Sequence, residues 1–96
     1  MWALVVTVSL PLGKSPDQLR EDLTESAVPA TANLSSLVDA TWTLSEDGRK
    51  GIGFYRFTSW DAAHARASGV GIGDAAPGGA SVIDVEVLEV LVDITG

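Results

Sequence analysis

The sequence predicts an α+β domain in which four antiparallel strands form one sheet and two helices cover one face of it. Three observations predict this fold class. Four segments rich in β-branched and large apolar residues have strand character, two segments begin with helix-capping residues, and the six follow one another in the order βαββαβ. A chain of 96 residues has room for one such domain, which we expect to span residues 1–96.

The first strand is predicted by composition and the first helix by its capping residues. Residues 2–10 (WALVVTVSL) are almost all apolar or β-branched, and a proline follows them. Ser15, Pro16 and Gln18 match a helix N-terminus, because serine caps, proline fits the first turn and glutamine completes a capping box. We expect this helix to end at Pro29, since proline removes a backbone donor.

A hairpin is predicted in the middle of the chain. Residues 36–44 (SLVDATWTL) alternate between apolar and polar side chains, as a strand with one buried and one solvated face does. Residues 45–48 (SEDG) are typical of a turn, and residues 51–58 (GIGFYRFT) are predicted to form the returning strand.

A second helix, a glycine-rich loop and a long strand complete the chain. Residues 58–61 (TSWD) form a helix-start pattern in which Asp61 is placed to complete the capping pattern, and the alanine-rich stretch that follows continues the helix to Ala67. Residues 69–80 are predicted to be a loop, and residues 82–94 (VIDVEVLEVLVDI) a strand about twice the usual length. This order of elements is that of the split βαβ or ferredoxin-like fold.

Composition excludes several classes of function. Thirteen acidic residues against six basic ones give a net charge of −7, so the chain lacks the basic surface that a nucleic-acid backbone or an anionic membrane attracts. The absence of cysteine excludes thiol chemistry, and a single histidine excludes a multi-histidine metal site within one chain. No apolar segment approaches membrane-spanning length and no basic residues precede the first apolar run, so we expect a cytoplasmic protein with neither nucleic-acid nor membrane partners.

The sheet face away from the helices is expected to be apolar. In the first and last strands, both sets of alternating residues contain large apolar side chains, so two helices cannot cover all of them. Such a face usually meets a partner or a ligand, and a strand that overhangs its own sheet favours pairing across a two-fold axis. We therefore expect a homodimer, with a monomer that has one slightly apolar face as the alternative.

One stretch resembles a module that binds RNA. Residues 50–57 (KGIGFYRF) are similar to the RNP1 strand of RNA-recognition motifs, which share the order βαββαβ. Those modules stack bases on aromatic residues of the first and third strands, whereas the first strand here offers Val5, Thr7 and Ser9. Together with the acidic charge, this makes RNA binding the third alternative.

A longer resemblance covers nearly the whole chain. Residues 44–49 (LSEDGR), 51–59 (GIGFYRFTS) and 61–63 (DAA) are similar to the small monooxygenases of the dimeric α+β barrel superfamily, relatives of the antibiotic-biosynthesis monooxygenases. The turn at residues 10–13 (LPLG) and Trp42 on the second strand also fit that pattern. The resemblance implies a dimer with a cleft between sheet and helices in each protomer, and cofactor-independent oxygenation of a small aromatic or polyketide-like substrate.

Cofactor-independent oxygenation needs an apolar pocket, a base and a group that stabilises the substrate anion. His64 is the candidate base and Arg56 the candidate anion-stabilising group, which makes them the candidate catalytic residues. The candidate substrate-binding residues are Trp42, Tyr55, Asn33 and Phe57. No metal and no other cofactor is expected.

Three of the candidates also have a purely structural interpretation. Trp42 lies on the apolar side of its strand and fits a core position, and His64 fits a packing role on a short helix. Tyr55 and Arg56 point to opposite faces by strand alternation, so at most one of them enters a given cleft. Arg56 can instead neutralise acidic residues across the sheet, namely Asp39, Asp84 or Glu86. A non-catalytic dimeric ligand-binding or regulatory module is therefore the alternative function.

Overall fold

The structure is a computed structural model that describes residues 1–11 and 14–94, so part of the predicted turn at residues 10–13 lies outside the described residues. Within these residues the chain is an α+β domain with a curled antiparallel sheet and two helices. The strands are β1 (Trp2–Ser9), β2 (Leu37–Leu44), β3 (Lys50–Phe57), β4 (Ala75–Ala76) and β5 (Ala80–Glu89). The first helix comprises α1 (Pro16–Asp22), a π-helical segment (Leu23–Ala27) and α2 (Val28–Ala32), and the second is α3 (Trp60–Ser68). None of the described helices is long and apolar enough to cross a membrane.

The sheet of the described residues contains five strands, not the predicted four, in the antiparallel order β2-β3-β1-β5-β4. The additional strand β4 lies in the segment predicted to be a loop, and its two residues pair with the first two residues of β5. The turn between them, Pro77–Gly79, holds Gly78 at φ 82° and Gly79 at φ 75°, which reverses the chain. Two alanines are too few to show strand periodicity, so the sequence pattern does not reveal β4.

The first helix begins where predicted, but the prediction that it ends at Pro29 is wrong. The hydroxyl of Ser15 accepts from the backbone N–H of Gln18, and the side-chain oxygen of Gln18 accepts from the backbone N–H of Ser15, each over 3.2 Å. The helix continues through α2 because the turn before Pro29 is π-helical, with the N–H of Val28 donating to the carbonyl of Leu23. The wider turn relieves the clash that a proline ring has with the preceding carbonyls in a regular α-helix.

The hairpin and the start of the second helix are confirmed. β2 and β3 pair across a turn in which the backbone N–H of Ser45 donates to the carbonyl of Lys50 over 2.8 Å. Ser59 caps α3, and its hydroxyl accepts from the backbone N–H of Ala62 over 3.0 Å. The predicted capping pattern is wrong in one respect, because the residue three positions after the cap is Ala62 and Asp61 therefore does not complete a capping box. Asp61 lies in the first turn, where its negative charge is favourable.

The last strand lies earlier in the chain than predicted. β5 ends at Glu89 because this residue faces Trp2, the first residue of β1, and no further residue of β1 remains to pair with. Residues 90–94 are here called the tail; the backbone N–H of Val90 still donates to the carbonyl of Met1 over 3.0 Å, and the residues after it leave the sheet. Asp93 of the tail lies 2.7 Å from a guanidinium nitrogen of Arg56 in β3. The tail therefore reaches back to a strand that is not the neighbour of β5 in the sheet.

The core lies between the sheet and the two helices. Its main cluster joins strand residues to one residue of α3: Leu4, Val6, Tyr55, Phe57, Ala63 and Val82. A smaller cluster of Leu10, Leu19 and Ala80 attaches the first helix to the sheet. Both helices therefore pack on the sheet face that carries Leu4 and Tyr55.

The opposite face of the sheet, here called the open face, is partly apolar and exposed. Its side chains alternate with the core residues along each strand and include Ala3, Val5, Ile52, Phe54, Arg56 and Leu88. Phe54 and Leu88 are exposed, as is Ile83 at a bulge in β5. The tail adds three almost fully exposed side chains, Leu91 at 83%, Val92 at 83% and Ile94 at 88%. The structure thus has the uncovered apolar surface that the strand patterns predict.

Candidate ligand-binding cleft

A cavity of about 320 Å³ lies between the sheet and the two helices. Strands β1 and β3 form its floor, the first helix forms its roof, and the end of α3 with residues 69–76 forms its rim. Its apolar lining includes Leu4, Val6, Leu19, Leu23 and Val82. A concave, mainly apolar cavity of this size, with a few polar groups, is typical of a site for a small organic ligand.

Glycines in β3 give the cavity its depth. Gly51 and Gly53 lie on the same side of the strand as the core residues Tyr55 and Phe57, the side that faces the helices, and both line the cavity. A Cβ atom on Gly53 would lie 3.0 Å from Cε2 and 3.1 Å from Oη of Tyr55, and 3.3 Å from Cδ1 of Trp42. Glycine at this position therefore leaves the room in which two aromatic side chains lie against the strand.

Trp42 and Tyr55 line the cavity as a hydrogen-bonded pair. Nε1 of Trp42 donates to Oη of Tyr55 over 3.0 Å, and the two rings meet edge to face with their centroids 5.9 Å apart. Because the tyrosine hydroxyl accepts from the indole, its own proton remains available for donation to a ligand. The structure therefore brings these two predicted residues together in one site.

The roof contributes a buried polar side chain. Thr31 of α2 is only 3% exposed and lines the cavity. Three residues of the π-helical segment also line it, namely Leu23, Ser26 and Ala27. The widened turn that carries the helix past Pro29 thus also determines which side chains face the cavity.

Two charged residues lie at the rim. Arg66, half-buried near the end of α3, and Asp74, exposed in the following loop, both line the cavity. Oδ2 of Asp74 accepts from the backbone N–H of Gly71 over 2.7 Å, and the carbonyl of Asp74 accepts from the backbone N–H of Val82 over 2.9 Å. The first bond holds the rim loop in shape, and the second ties it to β5. Within the described part of the chain, Arg66 has no carboxylate at ion-pair distance.

Arg56 lies on the open face and not in the cavity lining. Its Nε donates to Oδ1 of Asp39 over 2.9 Å, a second nitrogen donates to Oδ2 of Asp39, and Nη1 donates to Oδ2 of Asp93 over 2.7 Å. The hydrogen bonds to these carboxylates raise the pKa of Arg56, and the bond from Arg56 lowers the pKa of Asp39 below its ordinary value. A guanidinium shared by two carboxylates links β2, β3 and the tail, and has little capacity left for a substrate anion.

The other three predicted residues also lie outside the cavity lining. His64 stacks on Trp60 with the ring centroids 3.7 Å apart, and its Nδ1 lies 3.0 Å from the carbonyl oxygen of Trp60. Asn33 is exposed at the end of α2, whereas Phe57 is 1% exposed within the core. Of the six candidates, the structure therefore places only the tryptophan–tyrosine pair in the cleft.

Sequence reasoning missed Arg66 and Thr31, and a signal existed for the first. Ala63 is fully buried, and Arg66 follows it by three residues, which places both on the same side of α3. The helical spacing from Ala63 to Arg66 therefore indicates that this cation lies on the side of α3 that faces the interior. Thr31 had no comparable signal, because it follows the proline at which the helix was expected to end.

Among the residues that the structure describes, no group of three or more histidine, aspartate or glutamate side chains is placed to hold a metal ion. Comparisons with protein-family models, with curated proteins and with solved structures find no match for this chain.

Proposed function

We propose that this chain binds a small aromatic molecule in the cleft between its sheet and its helices. The observation that carries the proposal is a cavity of about 320 Å³ with an apolar lining and a hydrogen-bonded aromatic pair, Trp42 and Tyr55. An apolar cavity of about 150 Å³ holds benzene, so twice that volume suits one or two fused rings. The hydroxyls of Tyr55 and Thr31 provide the few polar contacts that orient a ligand in such a site.

Titration calorimetry with 2-naphthamide, a neutral bicyclic probe, tests this binding function. Ala27 lines the cavity and Ala65 is exposed on α3, so Ala27→Leu and Ala65→Leu form a matched pair. We expect Ala27→Leu to weaken binding by about tenfold or more, because it fills part of the cavity, and Ala65→Leu to leave binding unchanged. The proposal is contradicted if the unaltered protein binds no probe, or if both variants bind equally well.

Cofactor-independent monooxygenation, which the family resemblance implies, is the second candidate function. The observation that favours it is the Tyr55 hydroxyl, whose proton is available in an apolar site where it can stabilise a developing oxyanion. In this reaction a phenolate or enolate substrate gives electrons to O2, one oxygen atom enters the product and the other leaves as water. Because Arg56 and His64 lie outside the lining, we assign stabilisation of the substrate anion to the Tyr55 hydroxyl.

Oxygen uptake distinguishes the two functions. With naphthols and related phenols as substrates, an oxygen electrode should record uptake that depends on the protein and that falls in Tyr55→Phe through kcat. Trp60→Leu is the control, because Trp60 is exposed outside the lining, and it should retain uptake. If phenols bind but the electrode records no oxygen uptake, the proposed binding function stands and the proposed monooxygenase activity is contradicted.

We further propose that the fold is ferredoxin-like and that two chains form a homodimer of the α+β barrel type. The strand order β2-β3-β1-β5, with the two-residue β4 added at the edge, supports the fold. The exposed side chains of the open face and of the tail support the dimer, because a second copy of the chain would remove them from water.

Light scattering coupled to size-exclusion chromatography tests the dimer. A dimer of this 10.0 kDa chain has twice that mass, about 20 kDa. Leu91→Ser in the tail should shift the protein toward the monomer, whereas Ile72→Ser should not, although Ile72 in the rim loop is also exposed. A monomeric mass for the unaltered chain at micromolar concentration contradicts the proposal.

A further inference from the structure

Arg66 differs from the other basic residues of the chain in its surroundings. Three of the six form ion pairs with carboxylates, namely Lys14, Arg20 and Arg56. Two more, Arg49 and Lys50, are exposed at the hairpin turn. Arg66 alone combines a half-buried position, a place in the cavity lining and, within the described residues, no carboxylate at ion-pair distance.

The nearest acidic residue of the lining does not meet this cation. Asp74 lies on the same rim, but its carboxylate accepts a hydrogen bond from the backbone N–H of Gly71, and it lies beyond ion-pair distance of Arg66. A guanidinium carries five N–H donors in a planar fork, and a partly desolvated one is stabilised by an anion. The rim therefore offers a cation whose partner is not supplied by the described residues.

We infer that the ligand of the cleft is an aromatic monocarboxylate with one or two fused rings. This inference rests on the proposed binding function and specifies its ligand. The ring system lies against Trp42 and the apolar lining, and the carboxylate accepts two parallel hydrogen bonds from Arg66 at the rim. The oxygen of a phenolic hydroxyl on the ring can accept a hydrogen bond from the hydroxyl of Tyr55. The excess of acidic residues elsewhere on the chain makes the rim cation the point at which an anion is held.

Titration calorimetry with two probes of the same shape tests the charge requirement. The probes are 2-naphthoate, which is an anion at neutral pH, and 2-naphthamide, which is neutral. A hydrogen-bonded contact between charged groups favours the anion by about ten- to hundredfold. We expect the unaltered protein to prefer 2-naphthoate by that factor, and Arg66→Gln to abolish the preference by weakening 2-naphthoate binding much more than 2-naphthamide binding.

Two further variants separate charge from geometry and from folding. Arg49→Gln removes an exposed cation outside the lining and should retain the full preference for 2-naphthoate. Arg66→Lys keeps the charge but loses the planar fork, and should retain only part of the preference. A far-UV circular dichroism spectrum and a Tm like those of the unaltered protein show that each variant is folded.

The outcomes distinguish this inference from the function on which it rests. If 2-naphthamide binds to the unaltered protein as tightly as 2-naphthoate does, or if Arg66→Gln leaves the preference intact, the inference is overturned and the binding function stands. If neither probe binds, the binding function itself is overturned, and the assignment of a carboxylate ligand is overturned with it.

Discussion

Replacing Gly53 with alanine tests whether the aromatic pair shapes the cleft. The added Cβ atom would lie 3.0 Å from Cε2 and 3.1 Å from Oη of Tyr55, and 3.3 Å from Cδ1 of Trp42. Each separation is shorter than an ordinary van der Waals contact, so the two rings have to move. We expect the movement to break the hydrogen bond between them and to lower the free energy of unfolding.

The magnitude follows from three contributions. Overpacking typically costs about 1–3 kcal/mol, and the lost hydrogen bond between Trp42 and Tyr55 costs about 1 kcal/mol. Alanine offsets about 0.4–1 kcal/mol of this by restricting the unfolded chain. The net loss is therefore about 1–4 kcal/mol in the free energy of unfolding. For a domain of this size, the corresponding fall in Tm is at least about 4 °C.

Thermal unfolding followed by circular dichroism measures this effect, with Gly69→Ala as the control. A Cβ atom on Gly69 would meet the carbonyl oxygen of Arg66 at 3.5 Å, which is an ordinary contact. Because both variants exchange glycine for alanine, the difference between their Tm values isolates the clash at Gly53. Equal Tm values would refute the reasoning.

A double variant provides a second test of the same reasoning. Tyr55→Phe removes the hydroxyl that accepts the hydrogen bond from Trp42. If Gly53→Ala has already broken this bond, adding Tyr55→Phe should cost less free energy than it costs in the unaltered protein. Strictly additive losses would show that the alanine leaves the aromatic pair intact.

Three other perturbations act on single contacts. Ser15→Ala removes the cap of the first helix and should lower the free energy of unfolding by about 1 kcal/mol in urea denaturation; an unchanged midpoint would contradict the cap. Arg56→Gln releases Asp93 and should speed hydrogen exchange in the tail, measured by mass spectrometry, whereas Arg20→Gln, which breaks a pair on α1, should not. Asp39 has a folded-state pKa below its ordinary value of 3.8, so its charge stabilises the fold above that value, and the contribution is lost as pH falls through the lowered pKa. Asp39→Asn should therefore reduce the loss of stability between neutral and strongly acidic pH, and an unchanged loss in urea denaturation would contradict this.

Part of the candidate site can be predicted from the sequence alone, namely which side chains share a face of the sheet. Strand alternation predicted that Tyr55 and Arg56 face opposite sides of the sheet, and the structure places the first in the cavity and the second on the open face. The same alternation allowed Arg56 to pair with Asp39, and the two residues are paired across β2 and β3. Alternation cannot say which face holds a cavity, because that depends on how the first helix sits above the sheet.

The sequence by itself determined the elements that depend on residues a few positions apart. The capping box at Ser15 and the hairpin of β2 and β3 are local patterns, since their partners are near neighbours in the chain. Each of them lies in the structure where the pattern predicts it.

Only the tertiary structure decided the features that depend on contacts between distant residues. β5 ends at Glu89 because β1 offers no further partner, β4 exists because β5 provides an edge, and the π turn before Pro29 sets the roof of the cavity. Arg66 lies at the rim of the cavity because the end of α3 and the loop that β5 holds in place both line that side of it. Such packing brings together residues that are far apart in the chain and that no local pattern connects. The cleft is formed by this packing, so its shape and its lining residues could not be predicted from the sequence alone.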